Sequence, residues 1–384
     1  MELKLFTFII VIATLIVGFS ACERASQIVQ PATPEIEEKR SEIAIGIVLP
    51  LTGHVAATGE RMEQGFALAI DEITKANVSE VRLKFIFEDD MGTPEGAVQA
   101  FNKLIGTDSV VAILGPSTSS ATQAGFPIAQ AHKIVALSPT AGASGLTDIG
   151  DFVFRIPLTT AVAIAAGIKE THAKLGYQRV ATLYDDTDLF STDQDTVLRE
   201  VFEANGIEGL PPETFQTGDT DFSAQLTRIK ALNPDAIFVS ALPPEKPGIL
   251  IQARHLGLTA PIIISSLTDV EVAAAGPAAE GAITFVSWIS TDDTPGNQAF
   301  VQNYSETFGM EPDGFAMVAY TSVYILAEAI RNAESTDSAA IRDALADIKD
   351  FDTVFGKFSF AANGDAIYDP KVLRVKDGTL QAFE

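Results

Sequence analysis

From residue 42 onward, short apolar runs and amphipathic stretches take turns along the chain. Ile43 to Leu49 (IAIGIVL) is a continuous apolar run with the length of a buried strand. After Thr52-Gly53, the residues Met62, Phe66, Ala69, Ile70 and Ile73 recur at helical spacing, with Glu60, Glu63, Asp71 and Glu72 on the opposite side. The pattern then predicts a strand at Val81 to Glu88, a helix opened by Pro94 and ending near Ile105, a strand at Val110 to Leu114, a helix from Ser119 to Ala131 and a strand from Ile134 to Ser138. A second series follows Phe152 to Ile156. It has a helix near Ala161 to Lys174, a strand from Arg179 to Tyr184, and helices from Thr192 to Asn205 and Phe222 to Leu232. A strand from Ala236 to Ser240, a helix from Gly248 to Leu256 and strands from Pro261 to Ser265 and Ala282 to Ser287 complete it. This alternation predicts an α/β fold of two doubly wound, parallel-sheet lobes. Three helical patterns near 297–308, 315–332 and 338–348 have no strand between them. They need a sheet to lie against, which is most simply met if the chain returns to the first lobe. The tail, Val354 to Phe360 and Val372 to Val375 around Asn363-Gly364-Asp365, reads as a hairpin-type ending.

The N-terminus departs from this pattern. Leu5 to Phe19 is an uninterrupted run of 15 apolar and small residues, or about 22 Å of helix, short of the ~20 residues needed to span a bilayer. It reads as the core of a signal peptide, residues 1–21. Phe19-Ser20-Ala21-Cys22 resembles the lipobox of bacterial lipoproteins, which implies cleavage before Cys22 and lipidation of that cysteine. The bland alternative is an ordinary signal beside an incidental cysteine. Residues 22–41, polar and carrying Pro31, Pro34 and a charge cluster, read as a flexible tether.

Charge narrows the partners. With 26 basic and 51 acidic residues the net charge is −25, a field that repels phosphate backbones and excludes nucleic acid. The signal segment removes one acid and one base, so 50 acids against 25 bases leave it unchanged. Cys22 is the single cysteine among 384 residues, so an internal disulfide or a cysteine zinc site is ruled out. Catalytic signatures are missing as well. Gly115-Pro116-Ser117-Thr118-Ser119 lacks the second glycine of a nucleophile elbow, and there is no phosphate-binding glycine loop. His54, His132, His172 and His255 are scattered. The acidic string Tyr184 to Asp193 fails the calcium-loop template, with Ser191 where glycine is required. No enzyme, cofactor or metal is expected.

Two loops do carry a signal. Gly115 to Ser120 and Pro139 to Ser144 follow expected parallel strands at their carboxyl ends, are rich in hydroxyls and small residues, and the first opens a helix. Ligands of open α/β sheets sit there, and a helix N-terminus offers free N–H groups to a carboxylate. Simple helix capping would select the same residue types.

Ile45-Gly46-Ile47-Val48-Leu49-Pro50-Leu51-Thr52-Gly53, Gly59-Glu60, Gly65, Glu88-Asp89-Asp90, Gly115-Pro116, Ser119 and Ser138-Pro139 together resemble the type I periplasmic binding proteins of ABC importers, in the leucine/isoleucine/valine-binding branch. Tyr184-Asp185-Asp186, Asp221-Phe222-Ser223, Glu280-Gly281, Pro312-Asp313 and Ala319-Tyr320 extend the likeness over nearly all of 42–384. The resemblance implies two lobes joined by three crossings: lobe I from 42–157 plus 287–355, and lobe II from 158–286 plus 356–384. It implies hinge closure on an amino acid or a related small carboxylate or amide, and delivery to ABC permease subunits from a membrane-anchored, extracytoplasmic position. A ligand-sensing module signalling to a membrane partner is the second reading. The family's carboxylate- and ammonium-binding positions fall at Ser119, with Ser120 beside it, and at Thr140, Ala141 and Gly142. Pocket aromatics fall at Thr58 and at Leu189 or Phe190, and Phe190 joins the candidate set. Gly142 replaces an expected threonine and Ser266 an expected acid, for which Asp269 is the nearest substitute. Trp288 completes the set as a cleft or core residue.

Overall fold

The computed structural model describes residues 42–76 and 82–384. The expected signal segment, the tether and Cys22 therefore lie outside the described residues. The first apolar run forms strand β1 (Glu42–Leu49), followed by α1 (Ala56–Ala76), β2 (Arg82–Asp89), α2 (Pro94–Gly106), β3 (Ala112–Leu114), α3 (Ser119–His132), β4 (Val135–Ser138) and β5 (Val153–Arg155). These strands make one sheet in the order β2-β1-β3-β4-β5, and every neighbouring pair is parallel. Strand β1 is apolar on both faces because helices cover both. Ile45 and Ile47 pack toward Met62 and Phe66 of α1, whereas Val48 packs with Phe101 of α2 and Phe126 of α3.

The second series forms α4 (Thr160–Leu175), β6 (Arg179–Asp185), α5 (Leu189–Ala204), β7 (Glu208–Gly209), β8 (Glu213–Phe215), α6 (Ser223–Leu232), β9 (Ala236–Ser240), α7 (Lys246–His255), β10 (Ile262–Ile264), α8 (Asp269–Ala275) and β11 (Ile283–Val286). Helix α5 starts three residues before the apolar pattern does. Asp188 caps it, accepting the Ser191 N–H at 2.9 Å. The second sheet is likewise sandwiched. Ile168 and Phe202 of α4 and α5 cover one face, and Ile229, Ile249 and Val272 of α6, α7 and α8 the other.

Helices α9 (Asn297–Phe308), α10 (Gly314–Ala333) and α11 (Ser338–Ala346) then return to the first lobe, where Phe300, Ala316, Val323 and Ile341 share one core with Ile45 and Phe66. The close α1–α10 crossing requires Gly65, since a Cβ there would run into the backbone carbonyl of Ala316. The tail turns back at Asn363-Gly364-Asp365 as expected, but the two expected strands do not pair with each other. Strands β12 (Phe351–Thr353), β13 (Gly356–Phe360) and β14 (Ala366–Ile367) form a small antiparallel sheet whose Phe358 and Phe360 enter the first lobe's core. Strands β15 (Lys371–Lys376) and β16 (Thr379–Ala382) instead extend the second sheet, β15 antiparallel to β11. The division expected at 355/356 thus gives way to a crossing between Ile367 and Lys371, because two stretches that look alike in sequence bury their apolar faces in different cores. With the crossings before α4 and after β11, three segments join the lobes.

Candidate functional site

The carboxyl ends of β1, β3 and β4 in the first lobe face those of β6, β9 and β10 in the second, and the loops leaving them line a chamber between the lobes. On the first-lobe side the loops are stitched together by their own hydroxyls. Ser138 Oγ donates to the Pro116 carbonyl at 2.7 Å and accepts the Ala141 N–H at 3.1 Å. Thr140 Oγ1 donates to the Ser117 carbonyl at 2.7 Å. Thr118 caps α3 by accepting the Ala121 N–H at 3.2 Å, which fixes the helix start beside the chamber. Ser119 Oγ accepts the Ala143 N–H at 3.2 Å, so its own proton is left to be donated onward.

Five candidate positions meet in this chamber: Thr58, Ser119, Thr140, Gly142 and Phe190. Gly142 and Phe190 fit each other across the lobes. A Cβ at 142 would lie 3.1 Å from the Phe190 ring, so the missing threonine side chain leaves the space the ring edge needs. Asp269 and Trp288 line an adjoining chamber that shares Thr140, Pro157, Ser266 and Phe315 with the first. Burial pushes the Asp269 carboxyl above the usual carboxylate range, against a hydrogen bond from the Leu380 backbone. Trp288 is buried with its Nε1–H donating to Asn297 Oδ1 at 2.7 Å. Two candidates line neither chamber. Ser120 Oγ accepts the Leu189 N–H from the other lobe at 3.2 Å, and Ala141 is packed beneath the loop with Ala143 and Leu146.

Sequence reasoning missed much of the second-lobe wall. Gln194, Leu242 and Lys246 line the chamber there, with Phe315 reaching it from the N-terminal end of α10. Lys246 is 1% exposed. Its Nζ donates to the Ser266 carbonyl at 2.9 Å and lies 3.2 Å from Glu271 Oε1, too bent an approach to count as a hydrogen bond. The rule that exposed the first-lobe loops, position at the carboxyl end of a parallel strand, applies equally to Ala241 to Lys246 after β9.

The lobes touch around the chamber. His54 Nε2 lies 2.6 Å from Glu245 Oε1, and Asp193 Oδ2 accepts the Ser144 N–H at 3.0 Å. The acidic string 184–193 serves these contacts and local turns. Asp185 accepts the Thr187 N–H at 2.9 Å, and burial raises the pKa of the capping Asp188. Among the described residues no group of histidines, cysteines and carboxylates is placed to hold a metal ion.

This geometry has counterparts. The sequence profile described as "Periplasmic binding protein" matches residues 42–379. The chain belongs to the periplasmic binding protein family. Among relatives of this periplasmic binding protein, the Leu/Ile/Val-binding protein BraC3 of Rhizobium johnstonii is 28% identical over 85% of this chain and 89% of its own length. The branched-chain amino acid transporter substrate binding protein of Streptococcus pneumoniae, solved with isoleucine, superposes with a TM-score of 0.83 at 28% identity, covering 89% of this chain and 98% of that one. A solute binding protein of an ABC transporter from Rhodopseudomonas palustris, solved with 3,4-dihydroxybenzoic acid, gives 0.81 at 25% identity, covering 88% and 95%. The protein is thus an extracytoplasmic solute-binding component of an ABC importer, capturing a small molecule by hinge closure and passing it to the permease. The family is one of solute binders rather than enzymes, and these relatives favour transport over signalling.

Proposed function

We propose that the ligand is a small carboxylate whose acid group is held in the first lobe by the Ser119 hydroxyl and the loop Thr140 to Gly142, while Thr58, Phe190 and the second lobe enclose the remainder. The observation that carries this reading is the hydrogen bond from the Ala143 N–H to Ser119 Oγ. It commits the oxygen as acceptor and leaves the proton as a donor at the start of a helix, where the positive dipole end favours an anion. Most of the other lining side chains are apolar, among them Val55, Leu158, Leu242, Phe285 and Phe315, which suits a branched or aromatic body. The relatives bound to isoleucine and to 3,4-dihydroxybenzoic acid support that range. Ser119→Ala is expected to weaken binding by about 1 to 3 kcal/mol, measured by calorimetry with the co-purifying ligand. Wild-type affinity in that variant would remove the carboxylate from this position.

The reading includes a lipid anchor at Cys22, with residues 1–21 removed and 22–41 as tether. The lipobox-like Phe19-Ser20-Ala21-Cys22 and the extracytoplasmic family support it. Mass spectrometry of the membrane fraction is expected to find a lipidated N-terminal Cys22. An unmodified cysteine, or cleavage beyond it, would contradict the anchor.

A further inference from the structure

The charge lining the chamber is of the wrong sign for the ammonium group of an amino acid. Among the described residues that line it, the one charged side chain is Lys246, and no carboxylate is present. A zwitterionic α-amino acid brings an ammonium group as well as a carboxylate. A buried ammonium needs anionic or well-placed neutral acceptors to replace its water. The position where the family resemblance calls for an acid is Ser266, whose backbone carbonyl is already taken by Lys246 Nζ at 2.9 Å. Glu271, the partner of Lys246, is buried but does not line the chamber. Asp269 lines only the adjoining one.

Lys246 itself is placed to receive an anion or a polarised oxygen. It opens α7 directly after the loop that follows β9, in the lobe opposite Ser119. An ammonium has three N–H donors. One is given to the Ser266 carbonyl, and Glu271 Oε1 at 3.2 Å balances the charge without a well-aligned hydrogen bond. A donor is thereby left for the chamber.

We infer that the ligand is a carboxylic acid without an α-ammonium group, either an aromatic acid or a branched aliphatic acid in its 2-oxo form, and that Lys246 determines this specificity by donating to a ligand oxygen from the second lobe. The inference rests on the carboxylate reading of the chamber and sharpens it. Closure then joins two donors, the Ser119 hydroxyl and the Lys246 ammonium, on one oxygen-rich ligand, and a ligand presenting an ammonium meets a cation instead of an acceptor.

The test uses ligand-stripped, refolded protein and matched pairs in calorimetry: leucine against 4-methyl-2-oxopentanoate, phenylalanine against phenylpyruvate, and benzoate against benzamide. The acid lacking the ammonium is expected to bind at least tenfold more tightly within each amino-acid pair, and benzoate at least tenfold more tightly than benzamide. Lys246→Met is expected to lose at least tenfold for the acids. Because that variant leaves Glu271 buried without its cation, Lys246→Met combined with Glu271→Gln is measured beside it and is expected to show the same loss with a native circular dichroism spectrum. Amino acids binding more tightly than their oxo acids would overturn the inference. If Ser119→Ala weakened that amino-acid binding, the carboxylate reading would survive, and if Asp269→Asn abolished it, the ammonium would be assigned to the adjoining chamber. Unchanged acid affinity in both Lys246 variants would overturn the role of Lys246. Failure of every acid and amino acid to bind would overturn the carboxylate reading with it.

Discussion

Asp90 is fully buried in the loop after β2, with Oδ1 accepting the Gly92 N–H at 2.8 Å and Oδ2 meeting no donor. Burial, helped by the neighbouring Asp89 charge and opposed by the Gly92 bond, pushes its pKa up to about 6. Above pH 6 the carboxylate is ionised folded or unfolded, and the folded state carries the cost of the buried charge. As pH falls through about 6 the folded form takes up a proton first, and below the ordinary value of 3.8 the cost is gone. Asp90→Asn keeps the Gly92 bond and is expected to stabilise the protein by up to about 3 kcal/mol at pH 8. The gain should vanish near pH 4, as thermal unfolding at the two pH values would reveal; an equal gain at both would contradict the assignment. At the cleft, Gly142→Thr is expected to weaken closure by crowding Phe190, and Phe190→Ala to restore part of the lost affinity. Additive losses in calorimetry would mean the two do not meet. That Ser119, Thr140 and Gly142 line the chamber was legible because hydroxyls and small residues crowd two strand-end loops. Lys246 was not, because a lone lysine after two prolines looks like any surface residue until the fold buries it.

Elements were legible where one periodicity dominated. Helix α10 lies within a residue of its expected limits at each end, since its apolar stripe is long and uninterrupted. Boundaries set by a single side chain were not, as Asp188 and the early start of α5 illustrate. The division of the tail between the lobes was not legible for a deeper reason: β13 and β15 have the same strand-like composition, and only the two separate cores distinguish their partners. The α1–α10 crossing offers a test at this scale. Gly65→Ala is expected to cost about 1 to 3 kcal/mol through overpacking against the Ala316 carbonyl. Gly106→Ala at the end of α2, where a Cβ meets nothing within 4 Å, serves as the control; it is expected to be neutral or slightly stabilising. Equal unfolding midpoints in denaturant for the two variants would contradict the close approach.

For the molecule as a whole, the interlobe contacts of His54 with Glu245, Ser144 with Asp193 and Leu189 with Ser120 describe lobes in apposition. A ligand touching both sides favours this state over an open one by its differential affinity. Small-angle scattering of stripped protein is therefore expected to give a larger radius of gyration that falls when ligand is added, and superimposable curves would argue against hinge closure. The lobe plan, and the return of three helices to the first lobe, followed from the order of elements along the chain. The net charge of −25 makes the placement of donors more consequential, because an anionic ligand would enter against the overall field and depend on local N–H, hydroxyl and ammonium groups. The proposed capture of a small carboxylate between the lobes at Ser119 underlies the other expectations at the cleft. Native mass spectrometry of wild-type and Ser119→Ala protein, purified side by side from their own cells, addresses it most directly. A one-to-one adduct of a small organic acid is expected on the wild type, strongly reduced in the variant; an adduct retained equally by both would rule out capture at Ser119.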